Sequence, residues 1–268
     1  MGEINYLPLI EDMVWSYSRI ESYKDCPYRF FLKYISGCKD IDKFYASYGS
    51  YMHKLIERYY KGDLSKDEML TEFLTGFSEN VKGVRPKGST VEKYIRCGAS
   101  YLNSFQPFMY SMVDVEKRVD FDIDGIRFVG YIDYLGIDDD GEFHIIDNKS
   151  RDLKPRSGRK KPTVKDVELD DMLRQLYLYS AAIKQEYGKF PKTLCFNCFK
   201  SGVFIEEPFN EDAYNKTIEW AKRMIEEIKH TDDFYPNRDF FSCYYICGVS
   251  DDCIYDQNER AGRRKRFI

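Results

Sequence analysis

Residues 129–150, VGYIDYLGIDDDGEFHIIDNKS, decide the reading of this chain. Val129, Ile132 and Leu135 mark one strand, and Phe143, Ile145 and Ile146 mark a second, with Asp138-Asp139-Asp140-Gly141 as the turn between them. Asp and Gly accept the positive φ that a tight hairpin turn demands. A side-chain period of two puts Ile145, Asp147 and Lys149 on one face of the second strand. The hairpin then brings Asp133 towards Asp147. Two carboxylates and a lysine among apolar residues are costly to bury unless something offsets the cost. A divalent cation would offset it. Oxygen donors select a hard ion, Mg2+ or Mn2+. Such an ion polarises a phosphoryl oxygen and lowers the pKa of bound water, while Lys149 is placed to orient that water or neutralise charge developing on phosphorus.

Outward from the hairpin, the expected elements alternate in type. Downstream, residues 150–165 are basic and irregular, residues 168–187 read as a helix, residues 193–199 and 203–207 as a strand pair, and residues 211–229 as an amphipathic helix. Gln175 and Tyr179 stand four apart on the first of these helices, so they share a face and are placed to hold the lysine or the substrate backbone. Upstream, residues 114–123 alternate as a strand that turns at Asp124-Gly125 into residues 126–130. Before that come helices over residues 47–60, 66–81 and 91–112, with His53 on the flank of the first, beside Ile56 and Tyr60. Ser18 with Glu21 has the spacing of a capping box, and Cys26-Pro27 breaks one helix and starts another. The expected architecture is α/β, a central mixed sheet flanked by helices. One domain spans residues 1–268: a core of about 113–230, an N-terminal helical layer of 15–112, and a C-terminal tail of 231–268.

Composition narrows the class. With 43% hydrophobic and 32% charged residues the 268-residue chain is globular. A net charge of −4 means that any polyanion must be met by a local basic patch. No apolar run reaches a membrane span and the N-terminus has no signal-like pattern, so a cytoplasmic protein is expected. Its eight cysteines are then buried thiols or metal ligands rather than disulfides. Cys243, Cys247 and Cys253 cluster in the tail; three thiols cannot complete a tetrahedral set, and Cys26 is the natural fourth. Cys195 and Cys198 sit at an odd offset on a strand and face opposite ways, while Cys38 and Cys97 read as core or loop thiols.

The order of these motifs resembles the RecB-like branch of the PD-(D/E)XK nucleases. The resemblance rests on Gly130-Tyr131-Ile132-Asp133, on Ile146-Asp147-Asn148-Lys149-Ser150, on Gln175-x-x-x-Tyr179, on Gly49-x-x-x-His53, and on Ser16-x-Ser18-Arg19-Ile20-x-x-Tyr23-x-x-Cys26-Pro27. It runs from Ser16 to Cys253. It implies that His53, Asp133, Asp147 and the backbone carbonyl of Asn148 hold the metal, that Lys149 is the catalytic lysine, and that Gln175 and Tyr179 assist. Asp147 stands where many members carry glutamate. Glu116 matches a glutamate often found on the preceding strand; pairing with Lys117 or Arg118 is the competing reading. The cysteines are similar to those of AddB-like and CRISPR-associated RecB-like nucleases, in which one cysteine of a Cys-Pro pair and three C-terminal ones hold a 4Fe–4S cluster. The spacing here is C-x3-C-x5-C rather than C-x2-C-x5-C, and zinc remains the competing ion.

The resemblance implies a DNA exonuclease working on single-stranded ends in recombination, repair, phage replication or CRISPR adaptation, alongside proteins of those pathways. The alternatives are a structure-specific endonuclease and a DNA-binding accessory subunit with an idle site. Arg151, Lys154, Arg156, Arg159, Lys160 and Lys161 follow the second strand directly and are candidates to track a nucleic-acid backbone. The tail residues Arg263 to Arg266 read as solvent-facing.

Overall fold

The computed structural model describes residues 6–255; the basic tail at Arg263 to Arg266 lies outside them. The helices are α1 (Leu7–Ile10), α2 (Tyr17–Asp25), α3 (Pro27–Phe30), α4 (Phe44–Tyr60), α5 (Lys66–Asn80), α6 (Gly88–Asn103), α7 (Val164–Tyr187) and α8 (Glu211–Lys229). Between and after them run β1 (Ser111–Ile123), β2 (Ile126–Ile137), β3 (Phe143–Lys149), β4 (Thr193–Cys198) and β5 (Val203–Pro208). These form one five-stranded sheet in the order β1-β2-β3-β4-β5. Neighbours are antiparallel except β3 and β4, which are parallel. A parallel pair needs a long crossover, and α7 supplies it. This is the mixed sheet flanked by helices that the sequence predicts.

Alternation along the strands sorts side chains into separate cores. Ile145 of β3 packs with Leu173 and Leu176 of α7 and Ile225 of α8, whereas Ile146 packs with Tyr110, Tyr134 and Cys195 on the other face. A further cluster ties α4, α5 and α6 together through Tyr48, Met52, Leu55, Phe73 and Leu102, and closes on Phe199 after β4. Cys195 and Cys198 belong to different clusters, as their odd offset requires. No helix among the described residues is long and apolar enough to cross a membrane.

Several boundaries differ from the sequence reading. The first cap is Ser16, not Ser18: Ser16 is extended and its Oγ accepts from the Arg19 amide at 3.2 Å, while Ser18 is already helical. Trp15 causes this. Its N–H donates to the Arg127 carbonyl and its carbonyl accepts from the Val129 amide, both at 2.8 Å, so the chain is sheet-like up to Ser16. The helix expected over 91–112 is α6, which begins at Gly88 and ends at Asn103, ahead of Pro107. Helix α7 begins at Val164, four residues early, because Thr163 and Asp166 form a reciprocal capping box. Strand β2 is one continuous element from Ile126 to Ile137 rather than two pieces. The turn before it needs positive φ at both Asp124 and Gly125, 52° and 85°.

Candidate metal centre and its cleft

Strand β2 pairs with β3 only from Tyr134 onwards, opposite Ile146, and the Trp15 bridge covers its other end at residues 127–129. Residues 130–133 between these contacts border an open gap. That gap is a cleft of about 500 Å3, lined by Ser16, Ser18, Arg19, Tyr34 and His53, by residues 129–131 and Asp133, and by residues 147–150, Gln175 and Tyr179. Asp133, Asp147, Lys149, His53, Gln175 and Tyr179 therefore meet in one place.

The β2–β3 register carries Asp133 to the position beside Asp147. Asp133 Oδ2 accepts the Asn148 backbone N–H at 2.6 Å and lies 3.3 Å from His53 Nδ1. His53 reaches it because α4 comes close to the end of β3: a Cβ on Gly49, one turn earlier, would sit 3.3 Å from Ser150 Oγ. Asp147 is only 3% exposed. Its Oδ2 lies 2.6 Å from Lys149 Nζ, close enough for an ion pair but not aligned as a hydrogen bond, so this buried oxygen has no hydrogen-bond partner. Such orphans are rare in folded proteins and call for an explanation.

Behind Lys149 stands a relay that fixes it. Lys149 Nζ donates to Gln175 Oε1 at 2.8 Å, and Gln175 Nε2 donates to the Tyr179 hydroxyl at 3.1 Å. The Tyr179 ring lies flat against Gly130, where a Cβ would stand 2.3 Å from its Cε1. Glycine at 130 is thus a packing requirement. Asn148 turns its side chain the other way: its Oδ1 accepts from Asn197 Nδ2 at 2.7 Å, and the same nitrogen donates to the Tyr101 hydroxyl at 2.7 Å.

Glu116 joins this site, which the sequence alone left open. Lys117 pairs instead with Glu186 at 2.9 Å, and Arg118 with Asp120 at 2.9 Å, so neither claims Glu116. Val115 and Lys117 keep register with Tyr134 and Ile132, but Glu116 between them takes φ 52°, an uncommon value for a residue with a Cβ. His53, Glu116 and Asp133 each offer a ligand atom, all within 4.8 Å of one another, the one such group of three His, Cys, Asp or Glu among the described residues. Burial, then Asp133, Glu57 and Asp147, push the Glu116 carboxyl up to about 7. Burial and the neighbouring Asp147 raise Asp133 too, against the lowering pull of His53 and the Asn148 amide. His53, Glu116 and Asp133 are a donor set of the kind a hard divalent cation takes; Asp147 lies beside them in the cleft but outside that close group, with its Oδ2 on Lys149.

The basic segment after β3 is less free than its composition suggests. Arg151 pairs with Glu168 at 2.9 Å, and Arg156 with Asp170 and Glu207 at 2.6 and 2.5 Å. Lys154, Arg159, Lys160 and Lys161 are exposed. At the far end of α2, Cys26 lines a separate cavity of about 270 Å3 with Cys243, Cys247 and Cys253. Burial raises the Cys247 thiol above its usual range. None of the eight cysteines is in a disulfide among the described residues. Sequence reasoning quoted Arg19 and Tyr131 within motifs but gave them no role, and it missed Tyr34 and Asn197; the Ser-x-Ser-Arg and Gly-Tyr-Ile-Asp runs were the available signal.

Among solved structures, a protein from Eubacterium rectale described as a candidate exonuclease is 13% identical, with a TM-score of 0.49 over 87% of this chain and 86% of that one. The protein SSO0001 is 16% identical, with a TM-score of 0.30 over 72% of this chain and 99% of that one. No curated protein matches the sequence. The profile of the PD-(D/E)XK nuclease superfamily matches residues 14–254, nearly all that the structure describes, and the chain belongs to that superfamily.

Proposed function

We propose that this chain is a divalent-metal-dependent deoxyribonuclease of RecB-like type, acting as an exonuclease on single-stranded DNA ends. The reading takes residues 1–268 as one nuclease domain. The observation that carries it is the buried Asp147 oxygen that makes no hydrogen bond, beside Lys149 in the cleft that also holds His53 and Asp133, with Glu116 next to these two. His53, Asp133, Asp147 and the Asn148 backbone carbonyl would hold Mg2+ or Mn2+, with Glu116 as a further oxygen donor. A bound ion there would supply Lewis acidity towards a phosphoryl oxygen and acidify water, the chemistry of phosphodiester hydrolysis. Lys149 offsets negative charge growing on the phosphoryl oxygens, and Gln175 with Tyr179 keeps its ammonium in place. The preference for ends and for DNA comes from the resemblance to RecB-like nucleases alone; the superfamily supports nuclease activity.

End-labelled single-stranded oligonucleotides, digested with and without each divalent ion, test the activity. Covalently closed single-stranded circles should survive; their digestion would replace the exonuclease reading with an endonuclease one. Asp147→Ala should abolish cleavage, and a variant as fast as the parent would show that the site is elsewhere.

Within the same proposal, Cys26, Cys243, Cys247 and Cys253 hold a 4Fe–4S cluster that fastens the tail to the start of α3. Support comes from the four thiols lining one cavity. No three of them stand within 4.8 Å of one another among the described residues, whereas Zn–S bonds of about 2.3 Å bring tetrahedral sulfurs to roughly 3.8 Å apart. Protein purified without oxygen should be brown; a colourless protein with stoichiometric zinc would refute the cluster.

A further inference from the structure

The cation-binding residues leave one rim of the cleft without a role, lined by the half-buried Arg19 of α2 and the exposed Tyr131 of β2. The Trp15 bridge joins the segment before α2 to residues 127–129, and so holds the first turn of α2 beside this stretch of β2. Arg19 and Lys149 are the cations lining the cleft among the described residues. Lys149 is committed to Asp147 and Gln175. Arg19 is held quite differently. Its backbone N–H is taken by Ser16 Oγ, Nη1 donates to the Val14 carbonyl, and its guanidinium carbon lies 5.3 Å from the centre of the Tyr34 ring. These contacts orient the side chain without neutralising it. A guanidinium stays charged and presents its remaining N–H groups as a planar fork that matches a phosphate. Tyr131 is 52% exposed on a strand whose next five residues are buried. Its phenol ring is a flat apolar face at the mouth of a cleft built for an anionic polymer.

We propose that Arg19 and Tyr131 form a subsite for an unpaired nucleic-acid strand, Arg19 gripping a backbone phosphate next to the cleaved bond and Tyr131 stacking the adjoining base. The proposal rests on the nuclease reading and adds to it the residues that receive the single strand beside the cleaved bond. A base within a duplex already has its faces covered by its neighbours, so an aromatic platform rewards a single strand. Arg19 is here a positioning residue, set apart from the groups that would meet the ion.

The test is binding of a short single-stranded oligonucleotide carrying 2-aminopurine, measured by anisotropy and quenching with Ca2+ in place of Mg2+, beside steady-state cleavage in Mn2+. Arg19→Ala should raise Kd and KM about tenfold with kcat within about twofold, and lower the salt slope of binding by about 0.7, the value for one phosphate contact on a single strand. Arg19→Lys should restore the slope and only part of the affinity. Tyr131→Leu should raise Kd about fivefold and remove the quenching while leaving the salt slope unchanged, and Tyr131→Phe should retain both. Parental Kd and salt slope in Arg19→Ala, or undiminished quenching in Tyr131→Leu, would overturn the subsite, as would equal affinity for a blunt duplex. Should Arg19→Ala fold poorly, Tyr131→Leu at its half-exposed position still decides. A parent that binds the strand but cuts no DNA in any divalent ion would sink the nuclease reading and leave the subsite standing.

Discussion

The acid-lined cleft and the cysteine cavity both gather side chains of metal-ligating type, yet the chain supports them in opposite ways. The cleft sits on the sheet: Asp133 and Asp147 come from paired strands, Glu116 from a kink in a third, and His53 from a helix packed through Gly49. Its side chains are already braced, with Asp133 on the Asn148 amide and Lys149 on Gln175. The cysteine cavity draws on the extended residue between α2 and α3 and on a π-helical turn, Ser242–Ile246, with the short stretches after it. That end is tied to the helical layer by Lys43, buried against the Tyr244 carbonyl and Ser250 Oγ, and by the Ile41 amide on the Gly248 carbonyl. Removing an ion from the first site should cost chemistry, and removing one from the second should cost structure.

The contrast can be broken by experiment. Lys149→Ala should lower the single-turnover cleavage rate by about 100- to 1000-fold, the usual loss when one preorganised charge-stabilising group is removed, with a smaller fall in the thermal midpoint than Cys26→Ser produces. A rate near the parent's would remove Lys149 from the chemistry. Cys26→Ser should behave in reverse. Metal ligation in such a site is folding energy, so the midpoint should drop by about 10 °C or more, and limited proteolysis should release the tail. An unchanged midpoint would make the cysteine cavity incidental.

Acidity sharpens the picture within the cleft. Glu116 holds its proton up to about 7 in the folded chain, well above an ordinary carboxylate. A carboxylate raised by folding contributes stability that is present below its unfolded pKa of about 4 and lost as pH rises through its folded value. Metal-free parent should therefore lose stability relative to Glu116→Gln between about pH 4 and 7, read as the difference in their thermal midpoints. Over the same window Mn2+ should bind the parent more tightly as pH rises, since the ion displaces a proton. A constant difference between the two proteins would refute the assignment. The smallest effect expected is that of Gly130→Ala, in which the new methyl displaces the Tyr179 ring. Overpacking of this kind costs about 2 kcal/mol, measurable as a lower urea midpoint, and should slow cleavage by loosening the Gln175–Lys149 contact.

How much of this was legible beforehand differs residue by residue. Asp147 and Lys149 share a strand face because side chains alternate, and the acidic turn announced the hairpin that brings in Asp133. Arg151 and Arg156 read as free cations, because the acids that engage them, Glu168, Asp170 and Glu207, lie on α7 and β5 and are close only after folding. Glu116 could not be placed, because its carboxyl reaches His53 and Asp133 from a left-handed kink that its neighbours in DVEKRVDFDI do not signal.

The sequence by itself determined the strands, the turns and the set of residues able to bind a hard cation or gather thiols, since periodicity, turn geometry and ligand chemistry are properties of short segments. Tertiary structure alone decided the opening between β2 and β3, the inclusion of Glu116 and the engagement of Arg151 and Arg156 by acids of α7 and β5. Each of these depends on segments far apart in the chain, and only the packing of helices and loops against a twisted sheet fixes the distances between them.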